Sequence, residues 1–227
     1  MKYAGLFRCT LLAMTSLLLA ACQSSYTPPT AEKTGDYNRM QRVHFPDVDS
    51  VYRKEDADLS GYTKVLVESP TVAFRENWRP EEDPTLARLG VPDLAAARQR
   101  VSEQFLQTLK TRLAENGGYE VVAAPGPDVL QVKAAITDLY FSSSALQSAA
   151  GNDRPYYMES SEITVAIELR DSTTGELLSL VTDHRASPNP QTVELKQGTW
   201  SSPGLRAASD HWAAFLRRLL DQAKTKG

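Results

Sequence analysis

Cysteine is almost missing from this chain: it occurs twice in 227 residues, as Cys9 and Cys22. Cys9 lies inside an apolar amino-terminal run, so the body that follows has no thiol pair and must be held by packing rather than a disulfide. Histidine is nearly as scarce. His44, His184 and His211 are far apart and show no H-E-x-x-H spacing, which leaves no zinc-binding pattern. No G-x-S-x-G elbow supplies an activated serine, and no glycine-rich loop precedes a helix to cradle phosphate. Asp183-His184 resembles part of a hydrolase triad, yet neighbours on a strand point to opposite faces. These gaps predict a protein that is not an enzyme and carries neither metal nor cofactor. An excess of basic charge is missing too, with 25 Lys+Arg against 28 Asp+Glu. No basic stripe interleaves with aromatics, so no nucleic-acid partner is expected.

Long hydrophobic runs are also absent. The uncharged segment Cys9–Ala21 falls short of the ~20 residues of a membrane span. Preceded by Lys2 and Arg8, it reads instead as a secretory leader. It closes on Leu19-Ala20-Ala21-Cys22, which resembles a bacterial lipobox. In that reading Leu19, Ala20 and Ala21 are the signal-peptidase recognition residues, residues 1–21 are removed, and Cys22 is acylated. Each buried methylene contributes about 0.8 kcal/mol, so two or three acyl chains anchor the chain durably in a membrane. Gln23, standing where an aspartate often signals inner-membrane retention, points by resemblance to the outer membrane of a Gram-negative bacterium, facing the periplasm. The alternative is an ordinary cleaved leader that happens to end near a cysteine. Removal of 1–21 takes Lys2 and Arg8 and no acidic residue, leaving 23 basic against 28 acidic side chains.

Residues 23 to about 40 are rich in Ser, Thr, Pro and Gln. Such a composition buries too little apolar area to offset ordering entropy and predicts a tether. Residues 22–59 are thus expected to be lipidated terminus and tether, although Phe45, Val51 and Tyr52 allow part of 43–59 to lie against the body. Residues 60–227 are expected to form one domain. Thr63–Phe74 reads as a strand interrupted at Pro70, and proline favours an edge or bulge. Residues 75–92, with Trp78 and Glu81-Glu82-Asp83, read as a long loop. Asp93 is a plausible N-cap for a helix whose Leu94, Ala97, Val101, Phe105, Leu109 and Leu113 share one face. Gly117-Gly118 ends it. A short strand at 119–123 and a Pro125-Gly126-Pro127 turn precede a strand at 129–140 with Leu130, Val132, Ala134 and Ile136 on one face. Residues 142–161 read as a loop. A hairpin of 162–170 and 176–186 turns at Asp171–Gly175. After a Pro/Asn/Gln-rich loop, Leu205, Ala208, Trp212, Phe215, Leu216 and Leu219 build a final amphipathic helix. The pattern predicts an α+β two-layer domain: a mixed or antiparallel sheet of about five strands with two helices on one face.

Tyr62-Thr63-Lys64-Val65-Leu66-Val67, then Tyr119-Glu120-Val121-Val122 with Pro125-Gly126-Pro127-Asp128-Val129-Leu130, resemble a family of Gram-negative lipoproteins known only as a domain of unknown function. The resemblance covers most of residues 60–222 and brings a lipoprotein context without activity, cofactor or catalytic residue. More distantly, the layout and Leu169-Arg170-Asp171-Ser172-Thr173-Thr174-Gly175-Glu176 are similar to periplasmic domains of the TolB amino-terminal and curli-secretion-lipoprotein type. That likeness implies a domain that docks onto envelope proteins or assembles with its own copies.

Trp78, Tyr156, Tyr157 and Trp200 fall in predicted loops, where aromatics are enriched at protein interfaces. They are the candidate interface residues; the alternative is that each loop folds back and buries its own ring. The expectation is a membrane-anchored, non-enzymatic periplasmic lipoprotein that binds or stabilises an unidentified envelope protein. The alternative is a domain that binds a small ligand or cell-wall fragment, which requires a concave pocket beside the long loops.

Overall fold

The computed structural model describes residues 39–79, 82, 94–142, 156–196, 199–201 and 203–226. Cys22 with Leu19, Ala20 and Ala21, the predicted tether up to residue 38, Asp93, and Glu81 and Asp83 of the acidic run all lie outside these residues.

Nine strands form one mixed sheet: β1 (Met40–Val43), β2 (Ser50–Lys54), β3 (Lys64–Val67), β4 (Thr71–Phe74), β5 (Glu120–Val121), β6 (Val129–Ser142), β7 (Tyr156–Asp171), β8 (Leu177–Lys196) and β9 (Thr199–Ser201). Among the described residues two α-helices pack with this sheet, α1 (Leu94–Ala114) and α2 (Pro203–Lys226). The sheet order is β1-β2-β8-β7-β6-β3-β5, with β4 also on β6 and β9 on β8. Strand β3 runs parallel to β5 and β6, and β4 runs parallel to β6; the other pairs are antiparallel. The α+β class holds, with four strands more than the five expected.

The extra strands are where local sequence misleads. Residues 40–54, for which the sequence predicts no element, contribute β1 and β2, and Val51 is fully buried in register with Val181 of β8. The predicted loop 142–161 becomes strand from Tyr156 onward, and the Pro/Asn/Gln-rich stretch after Ala186 continues as β8 to Lys196 before β9. The expected break at Pro70 is real: it separates β3 from β4 on the same edge of β6, and its carbonyl accepts from Ser102 Oγ at 2.6 Å.

Alternation sets one face of the sheet. The rows Val132–Leu169–Ser179 and Ala134–Ile167–Val181–Val51 turn toward the helices. Opposite them, Ala135–Ala166–Thr182–Ser50 forms a row of small residues. Helix α1 buries Ala97, Val101, Phe105, Leu109 and Leu113, each four residues after the last. Both helices join the inward strand residues in a single core. At its centre Phe105 meets Trp212 edge-on, with ring centroids 5.8 Å apart.

The end of α1 is fastened by α2. Left-handed Asn116 and Gly117 (φ 52 and 69) reverse the chain, and the Tyr119 amide bonds the Leu113 carbonyl at 2.8 Å. Arg217 Nη1 donates to the carbonyls of Leu113 (3.2 Å) and Glu115 (2.7 Å), a cation on the negative end of a helix dipole. A Cβ at Gly118 would run into the Leu113 carbonyl and this guanidinium, so glycine is required there by crowding.

At the β7–β8 turn, Asp171 Oδ1 accepts from the Thr173 hydroxyl (2.6 Å) and from the amides of Thr173 (2.9 Å) and Thr174 (2.7 Å). Its Oδ2 accepts from Tyr62 Oη at 2.8 Å. The Thr173 contact first, then the Thr174 amide, hold its carboxyl well below the usual carboxylate range.

Two outcomes follow for stability. Phe105→Ala should cost about 3–5 kcal/mol in urea unfolding, because a buried ring is replaced by a cavity. The folded-state pKa of Asp171 lies below its unfolded value of about 3.9. Its stabilising contribution is therefore complete above that value and is lost as pH falls through the folded value. Asp171→Asn should accordingly lose less stability than the wild type between pH 7 and pH 3, and equal losses would refute the assignment.

Candidate functional site

The sheet has two unlike ends. The amino-terminal strand enters at Met40, opposite Lys54, whose ammonium pairs with Glu176 beside the β7–β8 turn. At the far end β6, β7, β8 and β9 form a ribbon. Strand β9 runs back along β8 from Lys196 toward Glu194, and α2 starts two residues later, so the outermost rows lie past the start of α2.

Register arranges the ribbon residues. Tyr156 pairs with Leu195, which pairs with Trp200; Met158 pairs with Val193; Ser160 pairs with Phe141. Because alternate residues share a face, Phe141, Tyr156, Met158, Val193, Leu195 and Trp200 occupy one face together with Ser160 and Gln191. Ser142, Tyr157, Glu159, Thr192, Glu194 and Ser201 occupy the other. Two of the four candidate aromatics, Tyr156 and Trp200, are thus one strand apart in a single row, on strands rather than in loops. Tyr157 lies on the opposite, polar face.

Trp78 stands at the same end of the sheet, after β4, and is half-buried. A bulge places it. Asp138 adopts a left-handed φ of 56° where the β6–β7 register shifts, an irregularity that bends and twists a strand. Its carboxylate receives Arg75 Nε at 3.0 Å and Nη2 at 3.3 Å, and the Arg75 amide bonds the Leu139 carbonyl at 3.0 Å. The Trp78 amide closes a turn on the Arg75 carbonyl (3.1 Å), and its ring lies 5.1 Å from that of Phe74. Arg98 of α1 covers the Phe74 ring at 5.3 Å. Around these groups is a recess of about 440 Å³, lined also by Glu76, Arg79 and Leu94. Its arginines come from a loop and a helix far apart in the chain, and no sequence pattern joins them.

The histidines do not converge. His184 is exposed and bonds Thr164 Oγ1 through Nδ1 at 3.0 Å, while Asp183, 3 % exposed, turns to the core. Asp183 Oδ2 accepts from Trp212 Nε1 and Arg185 Nε, both at 2.7 Å, and its Oδ1 accepts from the Asp49 amide at 3.1 Å. Arg185 Nη2 also donates to the Asp47 carbonyl at 2.7 Å and lies 2.5 Å from His211 Nε2. His211 Nε2 is 2.9 Å from that same carbonyl. One ring nitrogen cannot accept from Arg185 and donate to Asp47 at once, so its two tautomers exchange one bond for the other. Arg218 completes the cluster on Asp47 Oδ2 at 2.9 Å. Chemically this is a clamp that fixes the β1–β2 connection to β8 and α2. The same-face spacing of Asp183 and Arg185 was the available signal for it. Among the described residues, no three His, Cys, Asp or Glu side chains stand close enough to hold a metal ion, and no helix is long and apolar enough to cross a membrane.

Residues 29–216 match a family model described as a protein of unknown function, DUF3313. Among curated proteins none matches the chain. Among solved structures, it is similar to a PelC dodecamer from Paraburkholderia phytofirmans, with 16 % identity, TM-score 0.39, and coverage of 75 % of this chain and 95 % of that one. It is also similar to a neuraminyllactose-binding hemagglutinin homologue from Helicobacter pylori, with 10 % identity, TM-score 0.38, and coverage of 73 % and 89 %. A third, protein XCC0632 from Xanthomonas campestris, shares 15 % identity at TM-score 0.26, with 76 % and 87 % covered. Likeness at this level extends to neither activity nor partner.

Removing the carboxylate of the clamp should be felt through the groups it leaves behind. Asp183→Ala strands the buried Trp212 N–H, at a cost of about 1–3 kcal/mol, while Arg185 keeps the Asp47 carbonyl and water. Hydrogen exchange should quicken at residues 45–52 ahead of β6 and β7; uniform acceleration would show that the clamp does not fix this segment.

Proposed function

The chain belongs to this family of unknown function, DUF3313, and from its own residues we propose that it is a non-enzymatic outer-membrane lipoprotein. Its α+β domain docks an envelope protein through the ribbon end. Cys22 is the lipidated residue, Leu19, Ala20 and Ala21 its processing signal, and residues 22 to about 40 the tether into the periplasm.

The observation that carries the reading is the cross-strand row Tyr156–Leu195–Trp200 with Met158, Val193 and Phe141 on the same face. Aromatic and methionine side chains are the residue types enriched at interface cores. Glu159, Thr192 and Glu194 take the reverse-face positions in the register. Orientation supports it as well. The chain enters the sheet at Met40, the end opposite the ribbon. A tether of about 18 residues has a root-mean-square span of roughly 20–25 Å, and a 20-residue strand such as β8 adds up to about 65 Å. The ribbon is thus the part carried farthest from the anchor.

Two measurements test the parts separately. Cys22→Ala should leave the protein unacylated and outside the outer-membrane fraction; unchanged fractionation would remove the anchor from the account. Photo-crosslinkers introduced at Tyr156 or Trp200 in intact cells should capture a discrete protein, whereas one at Glu176 should not. Equal capture at both ends, or none at the ribbon, would remove the docking role.

A further inference from the structure

We propose that the recess between β4 and the start of α1 is a binding site for a small organic anion whose carboxylate or phosphate is carried on a ring, of which an acidic sugar is the simplest example. The argument does not rest on the ribbon's docking role.

The chain as a whole is acidic, with a net charge of −3, yet this recess has the opposite sign. Three guanidiniums line it, Arg75, Arg79 and Arg98, against one carboxylate, Glu76. Arg75 is matched by Asp138. Arg79 is held through Nη1 by the carbonyls of Glu76 (2.9 Å) and Trp78 (3.2 Å), which fix its position without cancelling its charge. Arg98 is held by the Phe74 ring, again without a counter-charge. Among the described residues, neither Arg79 nor Arg98 has a carboxylate partner. Counting Glu76 and Asp138 against the three arginines still leaves one positive charge. Glu82, whose amide bonds the Arg79 carbonyl at 3.1 Å, is exposed to water, as are Arg79 and Arg98, and is not among the residues lining the recess.

A guanidinium suits carboxylate and phosphate because its fork of N–H donors matches their paired oxygens. Both unmatched arginines are already positioned, so little side-chain freedom is left to lose when an anion arrives. The remaining surface explains the ring. Phe74, Trp78 and Leu94 give the recess apolar walls, and a bare inorganic ion would leave these uncovered. A volume of about 440 Å³ lies within the range of small-molecule sites, which combine apolar walls with a few placed polar groups. Between sheet and helices, by contrast, Phe105, Leu109, Leu139 and Trp212 are fully buried side chains of the core.

Isothermal titration of the purified protein with glucuronate, glucose 6-phosphate, glucose and inorganic phosphate tests the site. Binding of glucuronate or glucose 6-phosphate is expected, weakening as salt is raised, with neutral glucose at least tenfold weaker. Arg98→Gln and Arg79→Gln should each weaken the anion about tenfold or more, as loss of a charge-assisted hydrogen bond does. Lys110→Gln, farther along the same helix, should leave it unchanged. Equal affinity for glucose would overturn the need for charge. Inorganic phosphate binding as tightly as the sugar phosphate would overturn the need for a ring. No binding of either acidic sugar at millimolar concentration, or full binding by both arginine variants, would overturn the site.

Discussion

Trp212 is where the parts of this molecule meet. Its ring closes the core against Phe105 of the other helix, and its N–H reaches Asp183, a buried carboxyl side chain of β8. A carboxylate so placed is tolerable only because indole, guanidinium and backbone amide all point at it. That requirement reaches outward. Arg185 is drawn over the carboxylate, its second nitrogen holds the Asp47 carbonyl, and the connection between β1 and β2 is thereby fixed to the body. The hydrophobic layer explains why helices and sheet associate; the buried charge explains why the amino-terminal strands sit in one position on β8.

A second constraint sets direction. Strands β7 and β8 are much longer than the layer above them needs. Their inner halves supply Val165, Ile167, Leu169 and Val181 to the core, and their outer halves continue as the ribbon. The bulge at Asp138 marks the transition, and its ion pair with Arg75 ties that point to the loop carrying Trp78. The ribbon and the arginine-lined recess are consequently neighbours at one end, while Met40, the Asp171 turn and the fastened end of α1 occupy the other.

What could be read from the sequence was whatever burial imposes as a period. Leu94 to Leu113 and Leu205 to Leu219 repeat at helical spacing; Leu130 to Ile136 and Ile163 to Leu169 alternate, and each became the element expected. Elements held by distant partners could not be read. Strand β2 has one fully buried valine among charges and exists because β8 offers it an edge. Pro188 and Pro190 argue locally for a loop, yet pairing of 191–195 with β7 carries the strand past them. Tyr156 and Trp200 are 44 residues apart in the chain and become neighbours only through Leu195. The recess joins Trp78 to Arg98 across a turn and a helix start, and single-sequence patterns hold no such information. The lipobox is different in kind: four adjacent residues that carry their meaning without any fold.

Strand β8 is one uninterrupted backbone from the Asp171 turn to Lys196, and the clamp at Asp183 sits partway along it. A pull on the ribbon would therefore pass through residues 187–190, which lie between the two paired stretches of β8, before reaching the carboxylate that holds residues 45–49. Tension on the ribbon is thus met first by these unpaired residues and then by the small set of bonds around one aspartate.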